Sequence, residues 1–259
     1  MKILVCVKQV PSSNEVRLDP ITNTILRDAK QAVINPFDLY AVEQAVQIKE
    51  EIGGSVTAIS MGIPAVQTML KDLMARGVDR AYLLTDRAFA GSDTLATSYI
   101  LSLGAKQLAP FDLIICGKMA TDGDTAQIGP ELSAQLNLPC ITDVCEIQHI
   151  DEKEIVCRKK TDTGYLFVRG VLPLVITVEK GINLPRLPSI AGIEFGSSAT
   201  VNCCNAELLN ADKKRCGLNG SPTQVTKTFT PKREHQAIHW EGNISDIAKQ
   251  AIEVWKEVC

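Results

Sequence analysis

Four short apolar runs, each separated by helix-period sequence, constrain this chain more than any other feature. Residues 2–7, 55–61, 81–85 and 112–116 are dominated by Ile, Leu, Val, Ala and Cys and end at Gly, Lys or Asp. Near-continuous apolar runs of this length read as strands buried on both faces. Between them lie helical stretches with explicit start and stop signals. Asn35-Pro36-Phe37-Asp38 opens the first: Asn35 can cap, Pro36 fits the first turn and Asp38 suits the dipole. Gly53-Gly54 ends it. Pro64 starts a second helix that runs to about Arg76, with Gly77 as its C-cap. Ser92 or Asp93 caps a third, carrying Leu95, Tyr99, Ile100 and Leu103, and a fourth is expected over 125–136. Strands and helices alternating through short connections predict a doubly wound, mainly parallel α/β sheet.

After Pro139 the rhythm changes. Residues 141–150, 154–160, 165–171 and 174–178 read as four successive strands without helices, a meander or an antiparallel extension of the same sheet. The polar stretch 11–27 carries hints of a hairpin around Pro20 to Asn23. From Asn183 the chain is Pro-rich, then polar and basic, with Lys213, Lys214, Arg215, Lys227, Lys232 and Arg233 among few large apolar residues. Such sequence cannot build its own core and reads as an extended arm or linker. Residues 244–258 then place Ile244, Ile247, Ala251, Ile252 and Trp255 mostly on one helical face. That face needs a surface, either its own chain or a partner. The division expected is an α/β domain over 1–182 and an arm with a terminal helix over 183–259.

Composition removes several function classes. Lys plus Arg total 27 against 30 Asp plus Glu, a net charge of -3, so the basic excess of a nucleic-acid or anionic-membrane binder is missing. No apolar run approaches the ~18 residues of a membrane span, and the N-terminus has only five apolar residues between Lys2 and Lys8, so a cytoplasmic chain without membrane insertion is expected. The nine cysteines form no Cys-x-x-Cys pair and lie mostly far from the three histidines. They read as free thiols in a reducing compartment, with no metal site. Neither a Ser-His-Asp set, a His-Glu-x-x-His motif nor a carboxylate pair for acid–base work stands out, so no self-sufficient catalytic centre is expected. His239-Trp240 reads as a packing contact beside the terminal helix.

In open parallel sheets, ligands bind beyond the carboxyl ends of the strands where the strand order switches. Three segments fall there: Cys6 to Pro11, Met61-Gly62-Ile63-Pro64, and Gly117-Lys118-Met119-Ala120-Thr121-Asp122-Gly123-Asp124-Thr125-Ala126-Gln127-Ile128-Gly129. In the third, Gly117 and Gly123 allow close backbone approach, and the loop runs into a helix start that offers N–H groups to a phosphate. It is neither a Walker A loop nor a Gly-x-Gly-x-x-Gly turn. Asp122 and Asp124 would repel a phosphate they faced; one reads as a helix cap, the other as a sugar or turn contact. On these residues alone, a nucleotide loop and an ordinary capped βα loop both stand.

The three segments in this order and spacing, with Asn35 to Val46 and Pro173-Leu174-Val175-Ile176-Thr177, resemble the beta subunit of an electron transfer flavoprotein over most of the chain. The resemblance implies an α/β domain of the adenine-nucleotide hydrolase type and an arm on the alpha subunit. It maps the nucleotide pocket to Cys6, Asn35, Pro36, Phe37, Asp38, Met61 and Gly117 through Ile128. Lys8 and Lys118 are the cations available to a pyrophosphate. The Asp122-Gly123-Asp124-Thr125-Ala126-Gln127 stretch is similar to the flavin-bifurcating branch, in which the pocket holds FAD. That flavin takes a hydride from NADH and divides the electrons between a low-potential ferredoxin or flavodoxin and, through the alpha-subunit FAD, an acyl-CoA-dehydrogenase-like or other flavin dehydrogenase. The alternatives are a structural subunit holding AMP, as in respiratory members, and a stand-alone ATP-binding regulator of the same fold. The basic arm and apolar terminal helix speak against the regulator.

Two departures stand out. Thr161-Asp162-Thr163-Gly164 and Leu166 replace the acidic or amide residues of the family pattern, and Ile190 occupies the place of the leucine by which respiratory members dock a dehydrogenase. The first weakens the match outside the pocket; the second bears on partner choice.

Overall fold

The computed structural model describes residues 1–12, 32–226 and 239–258; the hairpin expected around Pro20 to Asn23 lies outside them. The chain divides into two compact units, Met1–Gln224 and Val225–Cys259.

The first unit is built on a nine-stranded sheet. Within it β1 (Lys2–Cys6) is flanked in parallel by β4 (Ser55–Met61) on one side and β6 (Leu113–Gly117) on the other. Beyond β4 lie β5 (Arg80–Leu84) and then β11 (Asn202–Cys204), both parallel. The chain thus leaves β1 in one direction, through β4 and β5, and returns to the opposite side of β1 as β6. The switch in strand order falls between β1 and β6, which is where such sheets open a ligand crevice.

Two separate cores result, one on each face. Helices α1 (Pro36–Ile52) and α2 (Gln67–Ala75) bury Ala41, Val42, Val46, Leu70 and Leu73 against Ile3, Val5, Val56 and Ile115. Helices α3 (Thr94–Leu108) and α4 (Ile128–Leu136) bury Tyr99, Ile100 and Leu132 against Leu4, Ile59, Ile114 and Val175 on the other. Alternate strand residues therefore serve alternate cores, which is why these strands are apolar without a break. No described helix is long and apolar enough to cross a membrane.

The four late strands arrange themselves differently from a simple meander. Strands β7 (Cys140–Ile150), β8 (Glu154–Thr161) and β9 (Gly164–Val171) form an antiparallel series. The fourth, β10 (Leu174–Val178), returns and inserts parallel between β6 and β7. Its five residues are all buried, whereas β9 at the sheet edge leaves Tyr165, Leu166 and Phe167 exposed. Leu-Val-Ile-Thr-Val can only be satisfied between two layers of helices, and that sends it inward.

Residues 183–224 build no core of their own but add to the first unit's. Helix α5 (Ile190–Ser198) lies on α2, β11 extends the sheet, and Ala206, Leu209 and Cys216 complete the core beside Tyr99. Neither α5 nor β11 is foreshadowed by the composition of this segment. Within the second unit, α6 (Ile244–Val258) forms where expected and leaves Ile244, Ile252, Val254 and Trp255 exposed. His239 is exposed and Trp240 partly buried.

Candidate functional site

The carboxyl ends of β4, β1 and β6 bring Met61, Cys6 and Gly117 into one row, with Cys6 in register with Ile59 and Cys116. A small antiparallel pair, β2 (Gln9–Pro11) and β3 (Ala32–Ile34), folds over this edge. It delivers Lys8 and Asn35 to the same place: the Asn35 backbone N–H donates to the Lys8 carbonyl at 2.9 Å.

Asn35 was expected to cap α1. It stands at the N-cap position without a side-chain cap bond. Its buried amide instead ties down the loop after β6, donating to the Met119 carbonyl at 2.9 Å and accepting from the Thr121 N–H at 3.3 Å. A buried amide finds partners wherever the fold offers them, and here the loop offers more than the helix. Asp38, in the first turn of α1, is also buried and accepts the Lys8 N–H at 2.7 Å and a backbone bond from Gly117. One carboxylate thus fastens the ends of β1 and β6 across the switch point. Burial pushes its pKa up to about 7 against these bonds, which pull it down. The fit at Gly117 is obligatory, since a Cβ there would lie 2.4 Å from Asp38 Oδ1 and 2.7 Å from the Phe37 carbonyl carbon.

The loop from Lys118 to Gln127 then crosses the crevice. Backbone bonds from Gly123 and Asp124 to the Ala120 carbonyl close a turn. Asp124 and Ala126 both adopt left-handed conformations, with φ of 50° and 53°. These two residues delay the helix: α4 begins at Ile128, not near Thr125. Neither Asp122 nor Asp124 caps it; the N-cap residue is Gln127, with no side-chain cap bond. The N–H groups of Ile128 and Gly129 are among those at a helix start without an intrahelical acceptor. Gly129 also lets α4 press on β10, because a Cβ there would meet Thr177 Cγ2 at 2.2 Å. Gly123 has nothing within 4 Å of a Cβ position, so its freedom is not needed by the chain's own packing.

Both lysines are paired in this structure. Lys8 Nζ contacts the two Asp122 oxygens at 2.7 and 2.8 Å. Lys118 Nζ reaches away from the loop to Glu179 at 2.7 Å and Asp143 at 2.9 Å. Donating to these two carboxylates raises the Lys118 pKa, and its ammonium lowers that of Asp143 despite partial burial. On the floor, a hydrogen bond with Cys6 and burial push the Cys116 thiol well up, so it packs as a neutral group.

Sequence reasoning missed Asp143, Glu179 and Glu131. Glu131 stands in the first turn of α4, 3.0 Å from Thr94 Oγ1, and burial raises its pKa. Their partners are distant in sequence, and no local pattern marks them. A cleft of about 320 Å³ between α3 and residues 214–222, beside the Arg215 guanidinium 3.8 Å over the Tyr99 ring, contains none of the expected site residues.

Residues 22–208 match the electron transfer flavoprotein domain. The chain is 42% identical over 98% of its length to the electron transfer flavoprotein subunit beta of Thermoanaerobacterium thermosaccharolyticum, covering 97% of that protein. It is 43% identical over 89% of its length to the caffeyl-CoA reductase-Etf complex subunit CarD of Acetobacterium woodii, covering 88% of it. It is 39% identical over 97% of its length to the protein FixA of Sinorhizobium fredii, covering 92% of it. With a parallel sheet whose strand order switches between β1 and β6, and likeness along nearly its whole length, the chain belongs to the electron transfer flavoprotein family as a beta subunit, with an electron-transfer role and an alpha subunit as its partner.

Proposed function

We propose that the crevice over β1, β4 and β6 holds the adenosine end of FAD in an electron-bifurcating heterodimer. The observation that carries this reading is the arrangement at these strand ends: Asp38 fastening their base, a loop held at Met119 and Thr121, open space beside Gly123, and helix N–H groups at Ile128 and Gly129. A phosphate suits such a helix start. Lys8, at the mouth, can exchange the Asp122 carboxylate for a phosphate oxygen without leaving the site. The likeness to a subunit of a reductase-Etf complex supports the same branch. Bound there, FAD would supply hydride acceptance from NADH and one-electron delivery, to ferredoxin or flavodoxin and, through the alpha-subunit FAD, to a flavin dehydrogenase. The chain's own residues bind, orient and exclude water. Leu184, Leu187 and Ile190 present apolar side chains to the dehydrogenase, and α6 packs on the alpha subunit.

One observation favours AMP instead. Lys8 and Lys118 already face carboxylates, which leaves a second phosphate to compete for them. Nucleotide extraction from the purified heterodimer separates the readings: two FAD, or one FAD and one AMP. Anaerobic titration with NADH adds the chemistry. Bleaching of a second flavin supports bifurcation; a single flavin left oxidised by NADH establishes the AMP reading.

A further inference from the structure

The segment that presents Leu184, Leu187 and Ile190 rests on an ionic clamp. These three side chains are 85%, 83% and 89% exposed and contribute little to their own chain's core. Beneath them the Arg186 guanidinium is gripped by two carboxylates of α1. Nε donates to Glu43 Oε2 at 2.8 Å and Nη2 to Glu43 Oε1 at 3.0 Å, while Nη1 and Nη2 reach Glu50 at 2.6 and 2.9 Å. The Arg186 backbone joins in, its N–H donating to Glu43 at 3.1 Å and its carbonyl accepting from Arg76 at 2.7 Å. Asn183 adds bonds to the Tyr40 carbonyl and Gln44. On the far side, α5 is seated directly on the backbone of α2: a Cβ on Gly192 would meet the Ala75 carbonyl oxygen at 2.1 Å, and one on Gly196 the Lys71 oxygen at 2.5 Å.

Glu43 is 5% exposed along its side chain. Burying a carboxylate is costly unless it is fully paired, and the whole of this arrangement is spent on a loop whose apolar residues point outward. Besides leading into the seat of α5, the ordering serves whatever meets those side chains from outside. A loose loop would lose conformational freedom at each encounter, and prior ordering removes that cost.

We infer that Arg186 is the positioning residue of the dehydrogenase-docking loop, holding Leu184, Leu187 and Ile190 as a preformed apolar ridge. This rests on the docking reading given above. The clamp sets the affinity for the flavin dehydrogenase without touching it or the nucleotide.

The test uses the purified heterodimer and the flavin dehydrogenase that copurifies with the native complex. Arg186→Gln should raise the KM for that dehydrogenase about tenfold, hold kcat at saturation and flavin content, and speed amide hydrogen exchange across 184–190. Ile190→Asp should raise KM without altering exchange. Arg186→Lys, which keeps the charge but not the fork, should fall between wild type and Arg186→Gln. If Arg186→Gln fails to assemble, Glu50→Gln removes only the more exposed half of the clamp and should raise KM about threefold. A faster-exchanging loop with wild-type KM, while Ile190→Asp raises KM, overturns the inference. So does unchanged exchange in Arg186→Gln. If Ile190→Asp also leaves KM unchanged, the docking reading itself is wrong.

Discussion

Asp38 accepts the backbone N–H of Lys8 at 2.7 Å from the first turn of α1, and a second backbone bond from Gly117 joins it. Burial raises its pKa from the ordinary 3.8 to about 7. Between these values the folded chain holds a proton that the unfolded chain has released. Stability from this group is therefore full below about pH 3.8, falls as pH rises and is gone above about 7. Chemical unfolding at pH 5.5, 7 and 8.5 should show declining stability. Asp38→Asn should flatten that decline and cost about 1–3 kcal/mol at pH 5.5, since one backbone N–H loses its acceptor. A decline that persists in the variant assigns it to other groups.

The two loop glycines should separate folding from binding. Gly117→Ala forces a Cβ against Asp38 and the Phe37 backbone and should destabilise the protein by about 1–3 kcal/mol. Gly123→Val meets open space and should fold with wild-type thermal stability yet retain less nucleotide. Chromatography of the extracted nucleotide decides it: full occupancy in Gly123→Val would falsify the assignment of this loop as a ligand contact.

Lys8 and Asp122 form a pair with 49% and 32% exposed side chains, so it contributes at most about 1 kcal/mol to stability. Lys8→Ala should leave the melting temperature within a few degrees and weaken nucleotide binding roughly tenfold, the scale of one lost charged hydrogen bond. Asp122→Asn should release Lys8 and tighten binding. Calorimetry with the nucleotide-stripped heterodimer measures both; equal affinity in Lys8→Ala removes Lys8 from the site.

Much of the fold was legible because a buried parallel strand advertises itself. The unbroken runs at Lys2–Cys6, Ser55–Met61 and Leu113–Gly117 and the Asn-Pro opening of α1 carry their positions in local chemistry. The insertion of β10 was readable in principle, since its run of four apolar residues and Thr177 differs from the mixed polar pattern of β8. The site was legible only as a set of strand ends. That Asn35 bonds the loop in place of its own helix, or that α4 waits for Ile128, depends on residues more than 80 positions apart and on two left-handed residues without glycine. Arg186 finding Glu43 and Glu50 is of the same kind.

The exposed apolar face of α6 leads to a fourth expectation. A chain ending at Gln224 should keep the unfolding transition of the first unit, because every strand among the described residues lies within it. It should bind the alpha subunit at least about tenfold more weakly, given ~1.5–3 kcal/mol for each large side chain such as Trp255 or Ile252 that would be buried. Copurification through a tagged alpha subunit reads this directly, and undiminished recovery would show that α6 packs elsewhere.

Asn35 and Asp38 hold the strand ends from below, and the residues they grip are Lys8 after β1 and Gly117, Met119 and Thr121 at the start of the loop. Beyond them Asp122, Gly123, Asp124 and Thr125 are all exposed. Foundation and tunable segment are thus separate stretches of sequence. Substitutions at Asp122, Gly123 and Thr125 should therefore cost folding little, so what this loop offers a ligand can change while the architecture stays constant. This is evolvability built into the wiring of a single loop.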